Sequence, residues 1–202
     1  MRRASFLLFI GFSLFLSQGC KKNPEEMKPK PTKEELFLES RQFLFEGQVG
    51  GTPMFWRFGV HEFQRGHFWT NPENDEQGQK WMSFFLTSNN DLTTRFEIGT
   101  PLYTAKSDEL FAKILAAGEK ELGGGSDAFK LKVTLNNIVY TTDGDQTNSL
   151  LKILKVEKAK DEANRDIALV WFKADCKFYS SANDTTLTLE EGYILAGFMY
   201  NP

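Results

Sequence analysis

The side chains best able to do chemistry in this chain are few: two histidines, two cysteines and 27 aspartates and glutamates. His61-Glu62-Phe63-Gln64-Arg65-Gly66-His67 gathers two imidazoles and a carboxylate in one short run. A zinc-protease helix sets its second histidine four positions after the first, so that both rings reach one ion. Here the second comes six positions later, across an Arg65-Gly66 turn, and the segment reads as a polar sheet edge without a metal. Asp143-Gly144-Asp145 and residues 71–79 place carboxylates in loops. A calcium loop starting at Asp143 needs glycine and glutamate where Asn148 and Leu154 stand, so these are solvated turns. Cys176 shares the apolar parity of a strand with Phe172 and Phe178, where burial disfavours the thiolate, and it reads as an inert core thiol. Gly123-Gly124-Gly125 lacks the lysine of a phosphate loop, and neither a nucleophile elbow nor a dinucleotide fingerprint occurs. The expectation is a chain without catalytic residues, metal or cofactor.

Binding is better provided for. The sequence carries 19 Phe, 4 Trp and 5 Tyr, an aromatic load suited to pleated sheets. Most rings belong in a core. Phe55, on the parity opposite Trp56, and Phe68 and Trp69, beside a polar loop, are the candidates for contact with a sugar face or a partner protein. Net charge is −3, which leaves no basic surplus for a phosphate backbone and excludes nucleic acid as the expected partner.

The elements that must position these residues have a period of two. Phe129, Leu131, Val133 and Leu135 alternate with polar neighbours, as do Met54, Trp56, Phe58 and Val60 with mixed ones. Between Ile167 and Phe178 one parity is apolar throughout, while the other turns from Ile167, Leu169 and Trp171 to Lys173, Asp175 and Lys177. The first half of that strand is expected to be covered on both faces and the second half on one. Further strands are expected near 43–49, 80–86, 95–98, 138–141, 150–156, 185–189 and 193–199. About ten short strands predict a mainly β fold, an antiparallel β-sandwich or open barrel with one covering α-helix. That helix is expected from a Ser107 cap through the stripe Leu110, Phe111, Ile114, Leu115 and Leu122 to the glycine stop at 123–125. Thr32 and Glu35 have capping-box spacing for a short helix that leads into the first strand.

The amino terminus is an address. Arg2 and Arg3 precede an apolar run over 6–16, too short to span a bilayer and suited to a signal-peptide core. Leu16-Ser17-Gln18-Gly19-Cys20 follows, with Leu16 four residues and Ser17 three residues before the cysteine, and then Lys21-Lys22. This resembles the lipobox of bacterial lipoproteins. The resemblance implies cleavage between Gly19 and Cys20, a diacylglycerol on the Cys20 thiol and an acylated amine, together a stable membrane anchor. Three segments, Phe45-Glu46-Gly47-Gln48-Val49-Gly50-Gly51, the strand from Val170 to Asp175-Cys176-Lys177-Phe178-Tyr179, and Leu187-Thr188-Leu189-Glu190-Glu191-Gly192-Tyr193, resemble Bacteroidetes-type envelope lipoproteins of unknown function. That likeness implies an all-β body at the outer membrane and no particular activity. Asp184-Thr185-Thr186 resembles the short O-glycan acceptor of such proteins, with Thr185 as the attachment site, and reads equally as a β-turn.

The expected organisation is therefore a signal peptide over 1–19, a Pro/Lys/Glu-rich tether over 20–33 and one β domain over 34–202. Cleavage leaves 22 basic against 27 acidic residues, a net −5, and Cys176 as the remaining thiol, so packing must stabilise the body. The leading expectation is a lipid-anchored outer-membrane protein with a non-catalytic binding or structural domain. A surface glycan-binding module and a hydrolase using loop carboxylates stand as alternatives, and the side of the membrane is open.

Overall fold

The computed structural model describes residues 29–60, 63–70, 79–88, 93–104 and 110–199, and at 67–70, 79, 80 and 104 the description extends to the backbone only. A helix, α1 (Lys33–Glu39), precedes the strands β1 (Leu44–Val49), β2 (Thr52–Arg57), β3 (Phe63–Thr70), β4 (Gln79–Ser88), β5 (Arg95–Gly99), β6 (Tyr103–Thr104), β7 (Gly118–Lys120), β8 (Lys130–Leu135), β9 (Ile138–Thr141), β10 (Leu150–Lys160), β11 (Asp166–Ser180) and β12 (Thr185–Met199). The body begins at Lys33.

The strands form one antiparallel sheet in the order β2-β1-β12-β11-β9-β8-β5-β4-β3. Its two end strands are neighbours in sequence. Bridges between Arg57 and Val60 and between Phe58 and Phe63, with the Gly59 N–H donating to the Phe63 carbonyl at 3.1 Å, draw them together. The sheet thus curls into a barrel that is closed except at this seam. Of the two architectures the period-two pattern allows, the protein adopts the open barrel.

Alternation decides which residues fill it. Phe45, Phe84, Phe96, Leu131, Val133, Val170, Phe172, Phe178, Ile194 and Phe198 are buried, while their in-strand neighbours point outward. Phe45 stacks on Phe96 with centroids 4.2 Å apart, and Phe43 meets Phe84 at 5.2 Å. The wall of β1 and β12 therefore faces the wall of β4 and β5 across the core. Each such ring stabilises the fold by about 1.5–3 kcal/mol relative to exposure.

Two expected strands, 185–189 and 193–199, are one. β12 passes through the gap by a bulge in which Glu191 takes a φ of 51° and its N–H donates to Asp175 Oδ1 at 2.7 Å. Gly192 is required there, since a Cβ would lie 2.6 Å from the Ala174 carbonyl oxygen.

The barrel joint between β11 and β9 is thin, a single pair of Tyr179 with Thr141, because β10 occupies β11 from Asp166 to Asp175. Lys177 falls between the two partners, and the Gln146 side chain fills its place in the ladder. Gln146 Nε2 donates to the Lys177 carbonyl at 2.8 Å and to the Thr142 carbonyl at 3.1 Å, and its Oε1 accepts from the Lys177 N–H at 3.2 Å and the Ser149 hydroxyl at 2.8 Å.

A second layer covers the outer face of β1, β12 and β11. The cross-strand row Leu44, Leu195, Trp171 is apolar and buried on this outside face. Alpha-helix α1 lies on the next row: the Phe37 ring sits 5.0 Å from Tyr193, Lys33 pairs with Glu46 at 3.1 Å, and Glu34 pairs with Lys173 at 3.1 Å. Arg41 closes the layer over Trp171, 5.4 Å from its ring, and binds Glu157. The covering helix is thus α1, formed at the capping-box segment. The stripe expected as a helix up to Leu122 does not form one. Leu110–Ile114 makes a single π-helical turn closed by the Leu115 N–H on the Leu110 carbonyl, and Gly118, at φ 122°, opens β7, which pairs with the free edge of β10. Satisfying that edge outweighs the helical periodicity. Its expected cap, Ser107 to Glu109, lies outside the described residues.

Candidate functional site

On the wall opposite α1, the outer face of β4, β5 and β8 holds a groove of about 550 Å³. Its floor follows from the register. Ser83, Gly99 and Lys130 form one cross-strand row, and Phe85, Glu97, Lys132 and Thr141 the next. Gly99 contributes no side chain between Ser83 and Lys130, which leaves a hollow, and Trp81 walls its end as a half-buried ring.

Two backbone devices build the rim. The Leu102 N–H donates to the Ser126 carbonyl at 2.8 Å, and the Gly123 N–H donates to the Phe129 carbonyl at 3.0 Å. Together they hold the segment from Gly123 to Ala128 over the sheet. Gly124 and Gly125 line the groove with bare backbone. On the other side, the buried Thr142 exchanges hydrogen bonds with Leu131: the Leu131 N–H donates to Thr142 Oγ1 at 3.1 Å and the Thr142 N–H to the Leu131 carbonyl at 3.1 Å. This fixes Asp143 beside Gly124, where a Cβ would come within 2.9 Å of Asp143 Oδ1.

The groove's charges balance: two ammonium groups, Lys130 and Lys132, and two carboxylates, Glu97 and Asp143. Glu97, whose side chain is only 12% exposed, receives both Arg95 Nη2, at 3.0 Å, and Lys132 Nζ, at 3.1 Å, on Oε2. Its other oxygen takes part in neither contact. Arg95 in turn lies 3.9 Å from the centre of the Phe85 ring, which rests over Gly66. The site is a surface of mixed charge with one large aromatic ring, hydroxyls and exposed backbone.

Of the residues singled out from the sequence, Asp143, Gly124 and Gly125 line the groove. Gly19 and Cys20 lie outside the described residues, as do His61 and Glu62. Phe55 is 41% exposed on β2 with the Arg57 guanidinium 4.2 Å from its ring, and it does not line the groove. Phe68 and Trp69 pair with Ser83 and Met82 on β4, and their side chains are outside the described residues. Thr185 opens β12 opposite Ser180, and its hydroxyl donates to the Asn183 carbonyl at 3.2 Å. Asp145 also organises a turn. The Thr147 hydroxyl and N–H donate to it, at 2.5 and 2.9 Å, and hold its carboxyl below the usual range, with Lys177 assisting. Cys176 is buried, and burial pushes its thiol up to about 12, so it is neutral at physiological pH. Among the described residues no group of three His, Cys, Asp or Glu side chains could hold a metal ion.

Trp81 is the functional candidate that sequence reading missed. The signal was present in Trp81-Met82-Ser83-Phe84-Phe85-Leu86, where Met82, Phe84 and Leu86 take the buried parity and leave Trp81 on the outer one. Its groove partners lie on other strands and a distant loop, which no local pattern joins. Comparison with family models, curated proteins and solved structures finds no match for this chain.

Proposed function

We propose that this chain is a lipid-anchored envelope protein, held at the outer membrane through Cys20, whose barrel binds a ligand without transforming it. The observation that carries the binding half is the groove on the β4, β5 and β8 wall. At about 550 Å³ it has the size of an ordinary ligand site, and its walls are set by backbone hydrogen bonds. The Glu97 carboxylate is committed to Arg95 and Lys132, an arrangement that neutralises a wall, whereas an acid catalyst must hand its proton to the substrate. The lipobox-like segment supports the anchor, and the geometry of the body is compatible with it. Alpha-helix α1 covers the wall opposite the groove and leaves the groove's own wall uncovered.

Metabolic labelling with a fatty acid and intact-mass measurement of the native product test the anchor. Label on the wild-type chain, absent in Cys20→Ala, together with recovery in the outer-membrane fraction, is the expected result. An unmodified thiol, or a product free in the soluble fraction of wild-type cells, overturns it. Recovery of bound ligand chemically unchanged after prolonged incubation is expected of a binding protein, and turnover refutes the non-catalytic half.

A further inference from the structure

The chemistry of the groove lining identifies the class of ligand, resting on the reading of the body as a binding module. An ionised ligand would be met by a surplus of opposite charge. Here Lys130 and Lys132 stand against Glu97 and Asp143, and the one further cation, Arg95, is held on Glu97 and over the Phe85 ring, so the groove offers no large surplus of either sign. A purely apolar ligand would take those four groups out of water and give them no hydrogen bond in return. A neutral ligand with many hydroxyls satisfies both conditions, because each hydroxyl donates to a carboxylate or a carbonyl and accepts from an ammonium or an N–H.

Trp81 adds the second requirement. An indole presents a broad apolar face at small entropic cost, and in a polar groove it suits a molecule that is polar at its rim and apolar on its flat face. A pyranose ring has this character, with C–H bonds on its faces and hydroxyls around its edge. Gly125, where a side chain would meet open space, and Gly99 let such a ring approach the backbone closely. We infer that the groove walled by Trp81 and the glycine-rich rim is a binding site for a neutral glycan, with Trp81 as the stacking platform and Glu97, Lys132 and Asp143 as hydroxyl partners.

The test is calorimetric titration of the full chain, purified in detergent, against neutral glucan, mannan and galactan oligosaccharides, with uronic-acid oligosaccharides as the charged comparison. The expected result is saturable binding of a neutral member that is insensitive to added salt. Trp81→Ala should weaken it by at least about tenfold, while Trp81→Phe keeps most of it. A Cβ at Gly125 meets no atom within 4 Å, so Gly125→Gln adds bulk at the rim without a clash, and it should also weaken binding in a chain whose unfolding midpoint is unchanged.

Binding confined to the uronic-acid members and lost with salt overturns the neutral class. Binding unaffected by both Trp81→Ala and Gly125→Gln overturns the location. No saccharide bound by a folded chain overturns the inference, and if that chain is acylated at Cys20 the anchoring reading stands without it. Glycan binding by an unacylated chain has the reverse meaning.

Discussion

Gln146 offers a quantitative check on how the barrel is held shut. Its amide occupies the ladder position opposite Lys177 that neither β9 nor β10 reaches, and it makes four hydrogen bonds there. Gln146→Ala removes all four and leaves the Lys177 N–H and carbonyl without their partner. At a net contribution of about 1 kcal/mol per bond, reduced because water reaches a half-buried site, the loss should be about 2–3 kcal/mol. Gln146→Glu should cost more at neutral pH, because a carboxylate cannot donate to the carbonyls of Thr142 and Lys177. The introduced carboxyl favours its neutral form in the folded state, so its folded pKa lies above its unfolded value. The penalty relative to wild type must therefore shrink as pH falls and one donor is restored. Urea unfolding gives both numbers, read as a shift in midpoint at constant slope. If Gln146→Ala lies within about 0.5 kcal/mol of wild type, as an ordinary surface change would, the side chain is not a working part of the ladder.

Other consequences are as direct. Asp161 closes the turn between β10 and β11 by accepting the N–H groups of Ala163 and Arg165, at 3.0 and 2.8 Å, on Oδ1 and the Arg165 Nε at 2.8 Å on Oδ2. Burial alone would raise its pKa, but these donors outweigh it and hold the carboxyl below its usual value. Its stabilisation is therefore present above the unfolded carboxylate range and lost as pH falls through the folded value. Asp161→Ala should cost about 1–2 kcal/mol at neutral pH and flatten the acid limb of a stability-against-pH curve; an unchanged limb would exclude the mechanism. Gly192→Ala should destabilise by about 1–3 kcal/mol or more in thermal or urea melts, since its Cβ meets the Ala174 carbonyl. In a chain carrying Cys20→Ser, Cys176 should resist thiol reagents until denaturant is added, and rapid labelling under native conditions would contradict its burial.

Much of the barrel was legible because alternation is a local signal. The strands at Lys130–Leu135, Ile138–Thr141 and Asp166–Ser180 lie where the period-two residues put them. Less legible was anything decided by a distant partner. The stripe at 110–122 has helical spacing, yet its last part serves as β7 because β10 had an unpaired edge. Glu190-Glu191-Gly192 separated two expected strands and is a bulge within one, since Asp175 on the neighbouring strand supplies its acceptor. The groove was the least legible feature. Trp81 on β4, Glu97 on β5, Lys132 on β8 and the rim at Gly124 become neighbours only through the sheet order β8-β5-β4 and the Leu102–Ser126 hydrogen bond.

One sequence feature does locate the division of the outer surface. On β11 the outward parity runs Ile167, Leu169, Trp171 and then changes to Lys173, Asp175 and Lys177. The first three are buried outside the barrel, and the change occurs where Lys173 meets Glu34 of α1 at 3.1 Å. An apolar outer parity thus marks a wall that needs a cover, and Lys173 marks the rim of that cover. The outer parities of β4, β5 and β8 follow the other rule. Ser83, Glu97, Lys130 and Lys132 are polar or charged and Phe85 is covered by the Arg95 guanidinium, so that wall needs no helix to bury it. The barrel can be sealed on one side and still keep Trp81 and its hollow open to a ligand on the other.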